Sequence, residues 1–123
     1  MSLTNAFETS TLQYLLTTDS VTRPTAWYIG LFTSDPTDTG AAGTEVSGNG
    51  YTRVAATFTV TGDTASNSAS IEFPAASGGN WGTVGWIGIM DASSGGNMII
   101  HSALDTAKDS PAFSRLNVVQ KDH

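Results

Sequence analysis

Few side chains in this chain could carry a reaction. The histidines are His101 and His123. His101 lies in MIIHSAL, out of phase with Met98, Ile100 and Leu104. That is the place of a solvent-facing or locally bonded imidazole, not of a base held against a nucleophile. Serines are plentiful, but none sits in a G-x-S-x-G elbow. Asp35, Asp38 and Glu45 share one segment. A glycosidase needs two carboxylates at fixed separation across a cleft, and acids on a glycine-rich loop are poorly held. They read as solvated, or as paired with basic residues of a neighbour. Their spacing does not match a calcium loop, so no metal site is assigned. Gly78-Gly79-Asn80 and Gly95-Gly96-Asn97 are turn sequences rather than phosphate-binding loops, and no cofactor is expected. Among the aromatics, Trp27 and Trp86 sit inside apolar strands and belong to a core. Trp81 follows a glycine-rich loop. It fits an exposed platform that stacks on sugar with Tyr51, and equally a plug that anchors the loop. On this reading the chain is not an enzyme.

Composition narrows the partners. The 123 residues make one domain, 1–123. A domain of that length buries roughly two thirds of its unfolded surface, enough to fold without a metal or a disulfide. There is no cysteine, which removes disulfides, cysteine zinc sites and thiol chemistry together. With 11 acidic and 5 basic residues the formal net charge is −6. The cations Arg23, Arg53, Lys108, Arg115 and Lys121 are scattered. A phosphate backbone or an anionic membrane surface would need them clustered, so neither nucleic acid nor membrane is expected as a partner. No apolar run is long enough to span a bilayer. The opening MSLTNAFE lacks a basic region followed by an apolar stretch, so no signal peptide is expected.

The elements that must position these residues are mostly strands. A short helix is expected over about 5–17, capped by Asn5 with Glu8 closing a capping box. Phe7, Leu12, Leu15 and Leu16, with Tyr14, give it a broad apolar face that either covers the domain or docks into a neighbouring subunit. AWYIGLFT (Ala26–Thr33) and TVGWIGIMD (Thr83–Asp91) are apolar at nearly every position, which predicts strands covered on both sides. In the first, Trp27, Ile29 and Leu31 share one face, and Tyr28 and Phe32 the other. Between 34 and 50 lies a long loop of turn formers, opened by Ser34-Asp35-Pro36. Compact domains seldom carry so long a loop unless it binds something or moves. Tyr51–Thr61 alternates as one half-buried strand, with Val54, Ala56, Phe58 and Val60 inward. Gly62–Ser68 reads as a polar turn, Ala69–Phe73 as a short strand, and Asp91–Asn97 as a hairpin loop. Met98–Leu104 follows as the return strand, Asp105–Pro111 as a loop and Phe113–Val119 as the last strand. About six short strands after one helix predict a mainly β fold: an antiparallel β-sandwich, jelly-roll or immunoglobulin-like, with one short N-terminal helix.

Several segments then resemble a known family when taken in order. They are LFTSDPTDTG (Leu31–Gly40), TEVSGNGYTR (Thr44–Arg53), SNSASIEFPAA (Ser66–Ala76), WGTVGWIGIMDA (Trp81–Ala92) and SGGNMIIHSAL (Ser94–Leu104). Together they resemble small bacteriophage tail-fibre-like, tail-associated virion proteins, over most of the chain. The resemblance implies a structural protein of the virion, made in the host cytoplasm, without enzymatic activity or cofactor. It also implies assembly with other virion proteins, and a homo-oligomer, a trimer by analogy with fibres. The candidate assembly contacts are Phe7, Leu12, Tyr14, Asp35, Pro36, Asp38, Glu45, Tyr51 and Trp81, with the loop ordered only once docked. Two other roles stay open: a capsid decoration protein, and a host-glycan-binding module using Trp81 and Tyr51.

Overall fold

A computed structural model describes residues 2–62, 64–68, 73, 77–79, 81–109 and 119–121 of the chain. Its centre is the pair of apolar strands that the sequence predicts. β2 (Trp27–Phe32) is flanked in the chain by β1 (Ser2–Leu3) and β3 (Val54–Ala56), and β6 is Thr83–Met90. β2 and β6 lie antiparallel, with Ile29 opposite Ile89, Gly30 opposite Gly88 and Leu31 opposite Ile87. They are two of the three inner strands of a five-stranded sheet ordered β1-β7-β6-β2-β3, where β7 is Met98–Asp109. A smaller antiparallel sheet is ordered β4-β5-β8, from Phe58–Thr61, Thr64–Asn67 and Val119–Lys121. The fold is thus mainly β with one short N-terminal helix, as expected. The sandwich type is an expectation from strand spacing; the described feature is this pair of antiparallel sheets.

Because side chains alternate across a strand, two inner strands that are apolar throughout must build a cluster on each face. They do. Ile29, Leu31, Ile87 and Ile89 join Val46, Val84, Trp81, Phe73 and Ile99 in the main core, with Trp27 packed against it. Phe32, Met90 and Met98 form a second cluster on the opposite face, flanked by Tyr28 and Trp86. The expected facing of Trp27, Ile29 and Leu31 against Tyr28 and Phe32 is borne out. Each fully buried aliphatic side chain contributes about 1.5–3 kcal/mol. Gly88 serves the second cluster by having no side chain. A Cβ there would lie 2.6 Å from Met98 Cε and 3.1 Å from Phe32 Cε1.

Several elements differ from expectation. The helix α1 (Asn5–Leu16) is capped by Thr4, not Asn5, and no side chain caps it. β1 pairs with β7 and draws Thr4 to the sheet edge. There the buried Thr4 hydroxyl donates to the Met98 carbonyl at 2.7 Å. The expected capping box therefore does not form. The strand expected over Tyr51–Thr61 is divided at Thr57, with β3 in the large sheet and β4 in the small one. Val60, expected inward, is 73% exposed. Thr64–Asn67, expected within a turn, pairs with β4, Thr61 opposite Thr64 and Phe58 opposite Asn67. Backbone pairing requires no apolar side chains, so a Thr/Ser-rich strand leaves no hydrophobic period to detect. For the same reason β7 runs through Asp105 to Asp109, against β6, where a loop was expected. Most of the expected strand at Ala69–Phe73 and all but the end of Phe113–Val119 lie outside the described residues.

Candidate assembly surface

The long loop is pinned rather than free. Val46 N–H donates to the Leu31 carbonyl and Thr33 N–H to the Thr44 carbonyl, both at 2.9 Å. Asn5 N–H donates to the Asp38 carbonyl at 2.7 Å. Pro36 is fully buried and Val46 belongs to the main core. Polar turns close the loop on itself, and the apolar residues Pro36 and Val46 seat it.

Its acids are held from within. Glu45 sits over Gly30, whose missing side chain leaves room; a Cβ there would lie 3.0 Å from Glu45 Oε2. The Tyr51 hydroxyl donates to Glu45 Oε2 at 2.6 Å and accepts the Leu31 N–H at 3.0 Å. Arg53 Nε donates to Oε2 and its Nη2 to Oε1, each at 2.8 Å. The remaining Nη1 donates to the Ala92 and Gly95 carbonyls at 2.8 Å, which ties the loop to the β6–β7 hairpin. Burial by itself would push the Glu45 carboxyl up. Hydrogen bonds from Arg53 and Tyr51 and the guanidinium charge outweigh it, and hold the carboxyl below its ordinary range. Burial, then the bond to Glu45, pushes the Tyr51 phenol well up. Asp35 accepts the Thr37 N–H at 2.9 Å, a local turn bond. Asp38 Oδ1 lies 2.9 Å from His101 Nε2, so His101 is locally bonded. The three acids therefore do not converge. Among the described residues, no group of three or more His, Cys, Asp or Glu could hold a metal ion.

Trp81 is the plug, not a platform. It is buried, its indole N–H donates to the Asn49 carbonyl at 3.0 Å, and it meets Tyr51 edge-on at a ring separation of 5.5 Å. Phe73 stacks near Tyr51 at 6.4 Å and also meets Trp81 edge-on at 6.5 Å, so the three rings form one cluster. The two aromatics named for sugar stacking are thus spent on holding the loop. Within the chain, Trp81 and Pro36 are buried and Glu45 is bound to Tyr51 and Arg53.

α1 lies open to solvent. No residue of this helix is buried. Leu12 is 58%, Tyr14 66%, Leu15 67% and Leu16 76% exposed. Phe7 alone of the expected helix contacts reaches inward, against the core. Arg53, Gly30 and Arg23 were not singled out from the sequence. Arg53 was detectable as an opposite charge closing the segment that Glu45 opens; the role of Gly30 depends on a contact across the fold. Among the described residues no helix is long and apolar enough to cross a membrane.

The described residues form a mainly β fold with one helix, none of whose residues is buried. The chain belongs to the family described as Podophage GP4 fiber I protein gp80, whose family model matches residues 2–118. No curated protein matches it. Membership in a podophage fibre family supports a structural role in the phage tail or fibre apparatus, association with other virion proteins, and location in the virion.

Proposed function

We propose that this protein is a tail or fibre component, or an adaptor between such components, that acts by protein–protein assembly without catalysis. α1 is its main docking element. One observation carries the reading: four large apolar side chains of one helix stand more than half exposed, although the same chain buries apolar side chains on both faces of its large sheet. Exposed apolar surface of that kind marks an interaction site. The pinned loop fits this role, because a rigid body that presents a helix loses little conformational freedom on docking. Asp35 and Asp38, exposed at the loop surface, are polar rim contacts in this reading. The copies form a homo-oligomer, threefold by analogy with fibres.

Cryo-electron microscopy of the intact particle tests the assignment. Density for this chain on the tail, with α1 against a neighbouring subunit, is the expected result. Density on the head would overturn it in favour of a decoration protein.

A further inference from the structure

α1 and a groove lined from both sheets carry opposite charges. On the helix, Glu8, Leu12, Leu15 and Leu16 follow an i, i+4, i+7, i+8 spacing, which places them on one side. Glu8 is the only charged residue of α1. The groove has a volume of about 350 Å³ and is lined by Trp27, Phe58, Val60, Ile89 and Ile100, with Arg23 among its lining residues. Phe58 and Val60 come from the small sheet, Trp27, Ile89 and Ile100 from the large one. Among the described residues, Arg23 is the one charged side chain of its lining. Neither Glu8 nor Arg23 has a side-chain hydrogen bond or ion pair among the described residues.

We infer that α1 of one copy docks in this groove of a second copy, with Glu8 of the first paired to Arg23 of the second. The inference rests on the assembly reading above and names the partner. A helix laid in an apolar groove anchors by residues at this spacing. A single charge on each side then sets register and direction. The formal net charge of −6 per copy opposes association at long range. The local opposite charges are therefore what favours this contact over others. Helix and groove are different surfaces, so two copies can exchange the contact reciprocally in a dimer, or successive copies can repeat it head to tail.

Sedimentation velocity of the full chain over a wide concentration range tests the inference, with thermal melts as a check on folding. Wild type is expected to form one discrete oligomer. Glu8→Arg or Arg23→Glu is expected to raise the association midpoint at least tenfold without lowering the melting temperature. The double variant is expected to return it close to wild type. If a reversal disturbs the fold, Glu8→Gln and Arg23→Gln serve in its place, each weakening association. A wild type that stays monomeric, reversals without effect, or a double variant that does not recover would each overturn the inference. The assembly reading fails differently, by the position of the chain in the particle.

Discussion

The Arg53 guanidinium grips both oxygens of the Glu45 carboxylate, each at 2.8 Å, and the two residues lie on opposite flanks of the same turn. The Arg53 side chain is 8% exposed and that of Glu45 24%. Removing one partner leaves a charge largely out of water, which costs several kcal/mol in buried pairs. Arg53→Ala is expected to destabilise the domain by about 2–4 kcal/mol, given the partial exposure. Arg53→Lys keeps the charge but loses the fork and the two carbonyl contacts, and should fall between wild type and Arg53→Ala. Urea denaturation measures both.

The same pair sets a pH dependence. The folded Glu45 carboxyl titrates below its unfolded value. Its stabilising contribution is therefore complete above the unfolded value, about 4.3, and is lost as pH falls through the lower folded value. The stability difference between wild type and Glu45→Gln should be constant above about pH 5.5 and shrink in acid. Denaturant melts at a series of pH values check this; a difference that does not change in acid would assign the stabilisation to something other than the ionised carboxylate.

Trp81→Ala should act as a core mutation. Truncating a buried aromatic costs about 3–5 kcal/mol, and here the Asn49 carbonyl also loses its donor. Trp81→Phe should cost less. Host sugars should leave the Trp81 fluorescence unchanged, because the ring is covered.

Gly88→Ala should strain the second apolar cluster. Overpacking costs typically 1–3 kcal/mol, and roughly the lower half of that range is expected because Met98 Cε is the movable end of a flexible side chain. In a Met98→Ala background the added methyl should cost measurably less, since the two sites are in contact. A double-mutant cycle on urea midpoints reads the coupling.

Leu12→Lys and Leu16→Lys should separate folding from assembly. Both side chains are more than half exposed, so each change should alter stability by no more than about 0.5 kcal/mol. Incorporation of the doubly substituted chain into particles should fall sharply. Thermal melts and immunoblots of purified particles provide the two readouts.

The two apolar inner strands were legible from residue types alone. Ala26–Thr33 and Thr83–Asp91 are apolar on both phases, and only a strand covered on both faces satisfies that pattern. The hairpin at Asp91–Asn97 was legible from its turn residues; Asp91 N–H donates to the Asn97 carbonyl at 3.1 Å and Asn97 N–H to Asp91 Oδ1 at 2.7 Å. Helix α1 was legible as an element, and its apolar residues were named correctly. Whether they faced the core or a partner depended on where β1 and Thr4 attach the helix to the sheet edge. β5 and the far end of β7 carried no signal, because backbone hydrogen bonds hold them and polar side chains give no period.

The loop residues show the same division. The sequence by itself determined that 34–50 is mostly turns, since Gly, Pro and Asp in that density favour them; the single antiparallel bridge of Glu45 to Phe32 carried no signal. It also supplied Glu45, Tyr51 and Trp81 as residues able to do something there, but not Arg53. Only the tertiary structure decided what they do. Glu45 fits over Gly30, Arg53 reaches Ala92 and Gly95, and Trp81 closes on Asn49. Those contacts join residues far apart in the chain, and local preferences carry no information about which distant residue will stand opposite.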